Sequence, residues 1–295
     1  STPPAASCQN LTVYLDGSGN GSIVAADVDN GSADACGIGT LSAAPLNFAC
    51  AHVGSNTVTL TVPDNNGNTS TCTANVTVND STPPSAVCQN ITVYLDGSGN
   101  ATITAADVDN GSSDICGLGT LSVLPSSFGC ADVGSNTVTL TVPDNNGNTS
   151  TCTATVTVND STPPMASCQN ITVPLDSVGS VTITPGDIDG GSTDACGIDS
   201  LSALTLTFSC LEVGANTVAL IVTDVNSNTS TCNATVTITD PLRVCCVADA
   251  GDIIRSDGDT TTQVICQGQD LGPVSNDYAE ADEIAPTPAA DYSYT

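Results

Sequence analysis

Short runs in which apolar and polar residues alternate recur along the whole chain. In the first copy of a repeated unit they are L-T-V-Y-L at 11–15, S-I-V-A-A at 22–26, T-L-S-A-A at 40–44, T-V-T-L-T-V at 57–62 and T-A-N-V-T-V at 73–78. A period of two over such short runs predicts β-strands that each bury one face. Turn-forming segments separate the runs, at 16–20 (D-G-S-G-N), 29–32 (D-N-G-S) and 64–68 (D-N-N-G-N). The pattern contains no helical periodicity and therefore predicts an antiparallel β-sandwich.

This pattern repeats at a fixed interval, which defines modules at 1–80, 81–160 and 161–240. Each copy opens with S-T-P-P and closes with V-x-[VI]-[NT]-D. A repeat of this size can bury a small core of its own, so we predict an all-β chain of tandem immunoglobulin-like sandwiches in a linear array. Strands of this length predict a rod on the order of 100 Å. Residues 241–295 break the repeat and are predicted to begin a different, truncated β-rich module.

The core of each predicted module is aliphatic and small, because aromatic residues make up 3% of the chain and tryptophan is absent. Phe48, Phe128 and Phe208 recur at one repeat position and are predicted to be core residues. A domain of this size with such a core has little stability in reserve, so cross-links are expected to brace it.

Fifteen cysteines are available for such cross-links, and four recur at fixed positions in every module. An even number per module predicts two disulfides and an oxidising compartment. Two strands that run side by side in an immunoglobulin-like sandwich favour one bond between the module ends, and a short loop favours the other, although two other connectivities remain open. The predicted bonds are Cys8–Cys72, Cys36–Cys50, Cys88–Cys152, Cys116–Cys130, Cys168–Cys232 and Cys196–Cys210. The pairing of Cys245, Cys246 and Cys266 stays open, and an anchor or leader is expected to lie outside this segment.

The net charge of −29 excludes several classes of partner. A chain with two basic residues and 31 acidic ones is repelled by nucleic acid and by anionic lipid, and no apolar run predicts insertion into a membrane. The glycine-rich stretch at 17–21 has no predicted helix after it, so nucleotide binding is not expected. His52 is the only histidine, and Asp132 stands at its position in the second module. A histidine that the repeats do not share argues against Cys–His catalysis and against a zinc site. We expect no enzymatic activity.

Several repeated motifs resemble a known family. They are D-x-T-P-P, C-Q-N-[LI]-T-V, D-x-D-x-G-S-x-D-x-C-G-[IL], V-G-[SA]-N-T-V-x-L-x-V and N-T-S-T-C-x-A-x-V-T-[VI]. Together they resemble HYR-type immunoglobulin-like repeats, and most closely the cysteine-containing repeats of SprB-like adhesins from gliding Bacteroidetes. The resemblance covers 1–240 and implies type IX secretion, an extracellular filament at the cell surface, and a role in adhesion and gliding.

Aspartates kept in every module form a candidate calcium site. Oxygen ligands at alternate positions on short loops are typical of Ca²⁺ coordination. One such loop carries Asp27, Asp29 and Asp34 between the second and third strands, and the other begins at Asp64 between the last two strands. Both loops are expected at the end of the sandwich that faces the preceding module, where Asp80 or Asp160 enters. The same residues cap backbone N–H groups in ordinary turns, so both interpretations stay open. The candidate ligands are Asp27, Asp29, Asp34, Asp64, Asp80, Asp107, Asp109, Asp114, Asp144, Asp160, Asp187, Asp189, Asp194 and Asp224. Calcium is the one cofactor that the sequence predicts.

Modification and partners are predicted from the same resemblance. In the implied bacterial group, O-glycosylation at D-[ST] followed by a small or apolar residue would fall on Ser81, Ser161 and Ser177. Predicted partners are other modules of the same long chain and other copies in a filament, with surface or glycan ligands bound by regions outside this segment. The first hypothesis for function is a disulfide-braced stalk of a surface adhesin.

Two alternatives are kept. A glycan- or ligand-binding array is disfavoured because Tyr14 and Tyr94 become Pro174 in the third module. The repeats could also be passive spacers of a secreted enzyme.

Overall fold

The computed structural model describes residues 2–242, Val244 and Cys245, together with the backbone of 253–256 and 262–265. Its described part is all-β, with three immunoglobulin-like sandwiches in tandem. No helix in that part is long and apolar enough to cross a bilayer.

Each module contains six strands in two sheets. The strands of the first module are β1 (Leu11–Tyr14), β2 (Asn20–Ser22), β3 (Ser42–Ala44), β4 (Asn47–Ala49), β5 (Gly54–Pro63) and β6 (Thr69–Asn79). One sheet has the order β1-β6-β5-β3 and the other pairs β2 with β4. All pairs are antiparallel except β1–β6, which is parallel and leaves β1 at the edge of its sheet.

The other two modules repeat this arrangement. The second contains β7 (Ile91–Tyr94), β8 (Asn100–Thr102), β9 (Ser122–Leu124), β10 (Ser127–Gly129), β11 (Gly134–Pro143) and β12 (Thr149–Asn159). The third contains β13 (Ile171–Pro174), β14 (Ser180–Thr182), β15 (Ile198–Ala203), β16 (Thr207–Ser209), β17 (Gly214–Asp224) and β18 (Thr229–Thr239). A final antiparallel pair, β19 (Ile253–Ser256) with β20 (Thr262–Ile265), lies in the segment after the repeats.

Helical structure in the described residues is confined to single turns. One short α-helix, α1, spans Ala105–Val108, and 3₁₀ turns occupy Ala25–Asp27, Cys50–His52, Cys130–Asp132, Pro185–Asp187 and Cys210–Glu212. The predicted strand at 22–26 is therefore wrong beyond Ser22, because Asp27 accepts a hydrogen bond from the backbone N–H of Val24 and closes a turn there. The alternation pattern also does not predict β4, which is three residues long and contributes one buried side chain, Phe48.

The core lies between the two sheets and follows the period-two pattern. Val58, Leu60 and Val62 of β5 are fully buried, while the threonines between them face outward. Phe48, Phe128 and Phe208 are at most 5% exposed, which confirms their predicted place in the core. Burying one such aliphatic or aromatic side chain contributes about 1.5–3 kcal/mol, so a core made of so few large residues needs additional bracing.

Candidate functional site at the module junctions

One disulfide in each module joins its first and fourth cysteines, as the sequence predicts. Cys8–Cys72, Cys88–Cys152 and Cys168–Cys232 are all formed, with Cα–Cα distances of 5.8 to 5.9 Å. Each bond closes a loop of 64 residues, which in the chain-entropy treatment stabilises the folded module by about 4 kcal/mol.

The second predicted set, Cys36–Cys50, Cys116–Cys130 and Cys196–Cys210, is wrong. Cys50 bonds to Cys116 of the next module and Cys130 bonds to Cys196, with Cα–Cα distances of 5.1 and 5.2 Å. Cys210 bonds to Cys245, which follows the third module. Among the described cysteines Cys36 alone is free, and it is exposed.

The length of strand β5 explains why Cys36 and Cys50 do not meet. Cys50 lies just before β5 begins, whereas the carbonyl of Cys36 accepts a hydrogen bond from Asn65 Nδ2, just after β5 ends. A strand of ten residues at about 3.3 Å per residue separates these two ends by roughly 30 Å. A disulfide requires Cα atoms within about 7 Å. The second cysteine of a module therefore lies at the end that meets the preceding module, and the third lies at the opposite end.

A close contact around Gly19 forms the distal side of the first junction. Gly19 has φ +72°, and a Cβ there would lie 2.8 Å from Cys50 Sγ and 3.3 Å from Ile115 Cγ1 of the next module. Gly99 occupies the same position at the second junction, where a Cβ would lie 2.7 Å from Cys130 Sγ. Only glycine combines this backbone conformation with room for the incoming module.

Sequence reasoning misses this role of glycine, although a signal is present. As a motif, the glycine-rich stretch at 17–21 resembles a phosphate-binding loop, but no predicted helix follows it, as such a loop requires. In the third module Gly17 is replaced by Ser177 and Gly21 by Val181, yet Gly179 is kept. A glycine retained while its neighbours change marks a position with a backbone or contact requirement.

On the proximal side, the loop after β11 holds the incoming linker. Asn148 Nδ2 donates to Asp144 Oδ2 at 2.6 Å and lies 3.3 Å from the carbonyl oxygen of Asp80 and 3.5 Å from that of Thr82. Asn145 N donates to the carbonyl of Gly117, which places the loop that carries Asp107, Asp109 and Asp114 at the same end of the module. The two acidic loops therefore share the end that faces the preceding module.

Two of the predicted calcium ligands come together at each junction. Carboxylate oxygens of Asp80 and Asp114 lie within 4.8 Å of each other, and Asp160 and Asp194 repeat the pair at the second junction. Asp80 is 8% exposed; its Oδ1 accepts from Thr82 N, while its Oδ2 is buried and has no hydrogen-bond partner among the described residues. Cys116 Sγ belongs to the same cluster, but its disulfide bond removes it as a thiolate ligand.

The other predicted ligands serve their own turns. Asp107 Oδ2 accepts from Thr104 N at 2.6 Å and from Thr104 Oγ1 at 2.8 Å, and these bonds hold the pKa of Asp107 below its usual value. A hydrogen bond from the Ser192 hydroxyl, at 2.6 Å, is the main reason that the pKa of Asp189 is lowered. Equivalent backbone capping applies to Asp27, Asp29, Asp34, Asp64, Asp109, Asp144, Asp187 and Asp224.

Other candidate surface residues lie apart from the junction pairs. Ser81, Ser161 and Ser177 are all exposed. Tyr14 and Tyr94 are 63% and 61% exposed on the first strand of their modules. Cys246 and Cys266 lie outside the residues whose side chains the structure describes, as does most of the predicted module at 241–295.

Comparisons with known proteins agree with this architecture. Residues 79–158 match the HYR domain family. Hyalin of Strongylocentrotus purpuratus is 30% identical over 214 residues, which cover 68% of this chain, whereas the chain spans only 18% of the length of hyalin.

Two solved structures show the extent of structural likeness. An I-band fragment of titin is 10% identical, with a TM-score of 0.35, and the match covers 81% of this chain and 99% of that one. Extracellular cadherin domains 1–4 of protocadherin gamma B7 are 14% identical, with a TM-score of 0.30, and cover 69% of this chain and 67% of that one. The family match and hyalin support an HYR-type immunoglobulin-like repeat protein, and the six disulfides among the described residues support an extracellular or cell-surface location.

Proposed function

We propose that this chain is a structural stalk segment of a cell-surface adhesin or extracellular filament. The observation that carries the proposal is the constant register of the junction disulfides. Cys50–Cys116 and Cys130–Cys196 have the same sequence separation, 66, so the same covalent joint recurs at both boundaries between the three modules. A repeated rigid joint provides reach, whereas a binding or catalytic role would not require one.

The disulfides form two separate covalent paths along the chain. The first path crosses each module through a disulfide, Cys8–Cys72 and then Cys88–Cys152. Under tension only the linker that connects them, from Cys72 to Cys88, can extend along this path. In the second path, Cys50–Cys116 and Cys130–Cys196 leave only the segment between Cys116 and Cys130. Either path alone limits how far a module can stretch, so the two together are suited to an extended element under tension.

The junction disulfides also couple the modules by packing. Cys116 packs against the hydrophobic core of the first module, Cys196 against that of the second and Cys245 against that of the third. Each core is thereby completed by a residue from the following segment. This arrangement opposes bending, because tilting one module would pull its junction cysteine out of the neighbouring core.

Small-angle X-ray scattering of the oxidised chain tests the stalk. We expect a maximum dimension on the order of 100 Å for three modules in line. Replacing Cys50 and Cys116 together with serine should shorten the mean dimension by loosening one joint. Cys36→Ser breaks no disulfide and is the matched control. A compact globule, or an unchanged profile in the double variant, would contradict the proposed role.

We further propose that Ca²⁺ binds between Asp80 and Asp114, and between Asp160 and Asp194, and stiffens the joints. Two carboxylates this close repel each other, and a divalent cation between them removes that repulsion. The buried Oδ2 of Asp80 has no protein donor in the described part of the chain, and a cation would satisfy it. Water would complete the oxygen shell of the ion beside the half-buried Asp114.

Thermal melting with millimolar Ca²⁺ and then with a chelator tests the ion site. Binding to the folded state stabilises it by about 2.7 kcal/mol at a hundredfold excess over Kd. The increase should disappear in a chain carrying Asp114→Asn and Asp194→Asn. It should persist with Asp107→Asn and Asp187→Asn, which remove the same charge from capping turns. Equal responses in both variants would assign the effect to general screening of charge.

Finer aspects of the role rest on the motif resemblance. We propose that the stalk belongs to a SprB-like gliding adhesin exported by type IX secretion, with O-glycans on Ser81, Ser161 and Ser177. Supporting this, all three serines are exposed and two of them lie in the linkers that open a module. Intact-mass analysis of the chain isolated from its native host would detect the glycans, and an unmodified mass would contradict them.

A further inference from the structure

Cys36 occupies the position that forms a junction disulfide in each of the other two modules. Its counterparts, Cys116 and Cys196, are each bonded to the third cysteine of the preceding module. Cys36 precedes Cys50 by the same distance in sequence as Cys116 precedes Cys130. It is therefore the open end of the second covalent path.

The loop that carries Cys36 already has the bonded conformation. Cys36 N donates to Asp34 Oδ1 at 2.7 Å, just as Cys116 N donates to Asp114 Oδ1 at 2.8 Å. Asn65 N donates to the carbonyl of Gly37, as its counterpart in the second module does to Gly117. A bond at Cys36 can therefore form with the same loop hydrogen bonds that Cys116 keeps when it is bonded.

We propose that Cys36 is a covalent docking site for another HYR-type module whose third cysteine is unpaired. The neighbour of Cys36 specifies the contact. Ala35 is exposed and stands where Ala195 stands at the second junction, and the Cβ of Ala195 lies 3.4 Å from a Cβ built at Gly99. At the second junction Gly99 packs against Cys130, the third cysteine of its module, and leaves room for Ala195. A partner module that has a glycine packed against its third cysteine in the same way would leave room for Ala35.

The bond forms by thiol–disulfide exchange with a small disulfide oxidant such as oxidised glutathione. The partner cysteine first forms a mixed disulfide with one half of the oxidant, releasing the other half as a thiol. The Cys36 thiolate then attacks the protein sulfur, the Cys36–cysteine bond forms, and the second half leaves as a thiolate that takes up a proton. Two protein thiols are oxidised and one oxidant disulfide is reduced. This inference concerns connectivity and stands whether or not the chain acts as a stalk.

The test uses the full chain with one additional copy of 81–160 fused before Ser1, in the register that joins 160 to 161. After refolding in a glutathione buffer, peptide mapping should find Cys36 bonded to a Cys130 peptide while the Cys130–Cys196 bond is fully retained, which assigns the partner to the added copy, and Cys36 should no longer react with maleimide. A control chain carries Cys36→Ser with Ala35→Cys, which moves the thiol to the preceding position. Free Cys36, or a bond formed equally well by the control, would overturn the proposal.

A second arm asks whether the partner module can belong to another copy of the chain. Replacing Cys245, Cys246 and Cys266 with serine leaves Cys210 unpaired, so copies could join head to tail. A ladder on a non-reducing gel with Cys210–Cys36 peptides supports docking between copies. A ladder built from Cys36–Cys36 bonds would show a reactive surface thiol without a specific partner and would overturn the assignment in this arm.

Discussion

Force applied along the oxidised chain should produce almost no module extension, because two disulfide paths limit each repeat independently. The perturbation removes them separately and then together around the second module. One variant replaces Cys88 and Cys152, and another replaces the four junction cysteines Cys50, Cys116, Cys130 and Cys196. A third variant combines both sets.

The expected magnitude follows from the disulfide positions. The Cys88–Cys152 bond spans 64 residues, which extend to about 220 Å at roughly 3.3–3.6 Å per residue. Without that bond, the junction disulfides still leave only the segment from Cys116 to Cys130 on the direct path. Without the junction disulfides, the Cys88–Cys152 bond still keeps the residues between these two cysteines out of the stretched length. Only the combined variant should therefore gain the full length.

Optical tweezers with handles at the two chain ends measure this directly. Total contour length at high force is the readout, so the result does not depend on whether the combined variant still folds its second module. Relative to the variant that lacks only the junction cysteines, the combined variant should gain about 220 Å of contour length, the extended length of the released loop. A gain of that size on removing Cys88 and Cys152 alone would refute the two-path reasoning.

Two further predictions concern local contacts. Gly99→Ala should lower the melting temperature and the yield of the Cys130 junction disulfide, since the new Cβ would lie 2.7 Å from Cys130 Sγ at a φ of +75°; Gly97→Ala, with nothing within 4 Å of its Cβ, is the matched control, and equal effects would contradict the contact. Asp107 has a lowered pKa, so it contributes stability above the unfolded value of about 3.9 that is lost as pH falls through the lower folded pKa. Thr104→Val removes the hydroxyl donor but keeps the backbone donor, and should move the Asp107 pKa part of the way back in an NMR titration; an unchanged pKa would assign the shift to the backbone alone.

Local patterns along the chain were enough to identify the modules, their long strands and the bond between the first and fourth cysteines of each module. Alternation in T-V-T-L-T-V places Val58, Leu60 and Val62 on one face, and the structure buries all three. These features depend on neighbouring residues and on the period of a strand, which the sequence displays directly. The Cys8–Cys72 bond could be predicted because it follows from the order of strands within one sandwich.

The junctions, in contrast, depend on contacts that only the folded, stacked modules create. The sequence offers Cys50 two equivalent partners, Cys36 in its own module and Cys116 in the next one. Because both recur with the period of the repeat, spacing cannot distinguish a bond within a module from a bond between modules. The length of β5 excludes the first kind by placing Cys36 and Cys50 at opposite ends. The sequence predicts that Asp80 enters beside the acidic loops of the next module, but only the folded loops decide which carboxylate it approaches: they bring Asp114 to it and leave Asp107 in its own turn.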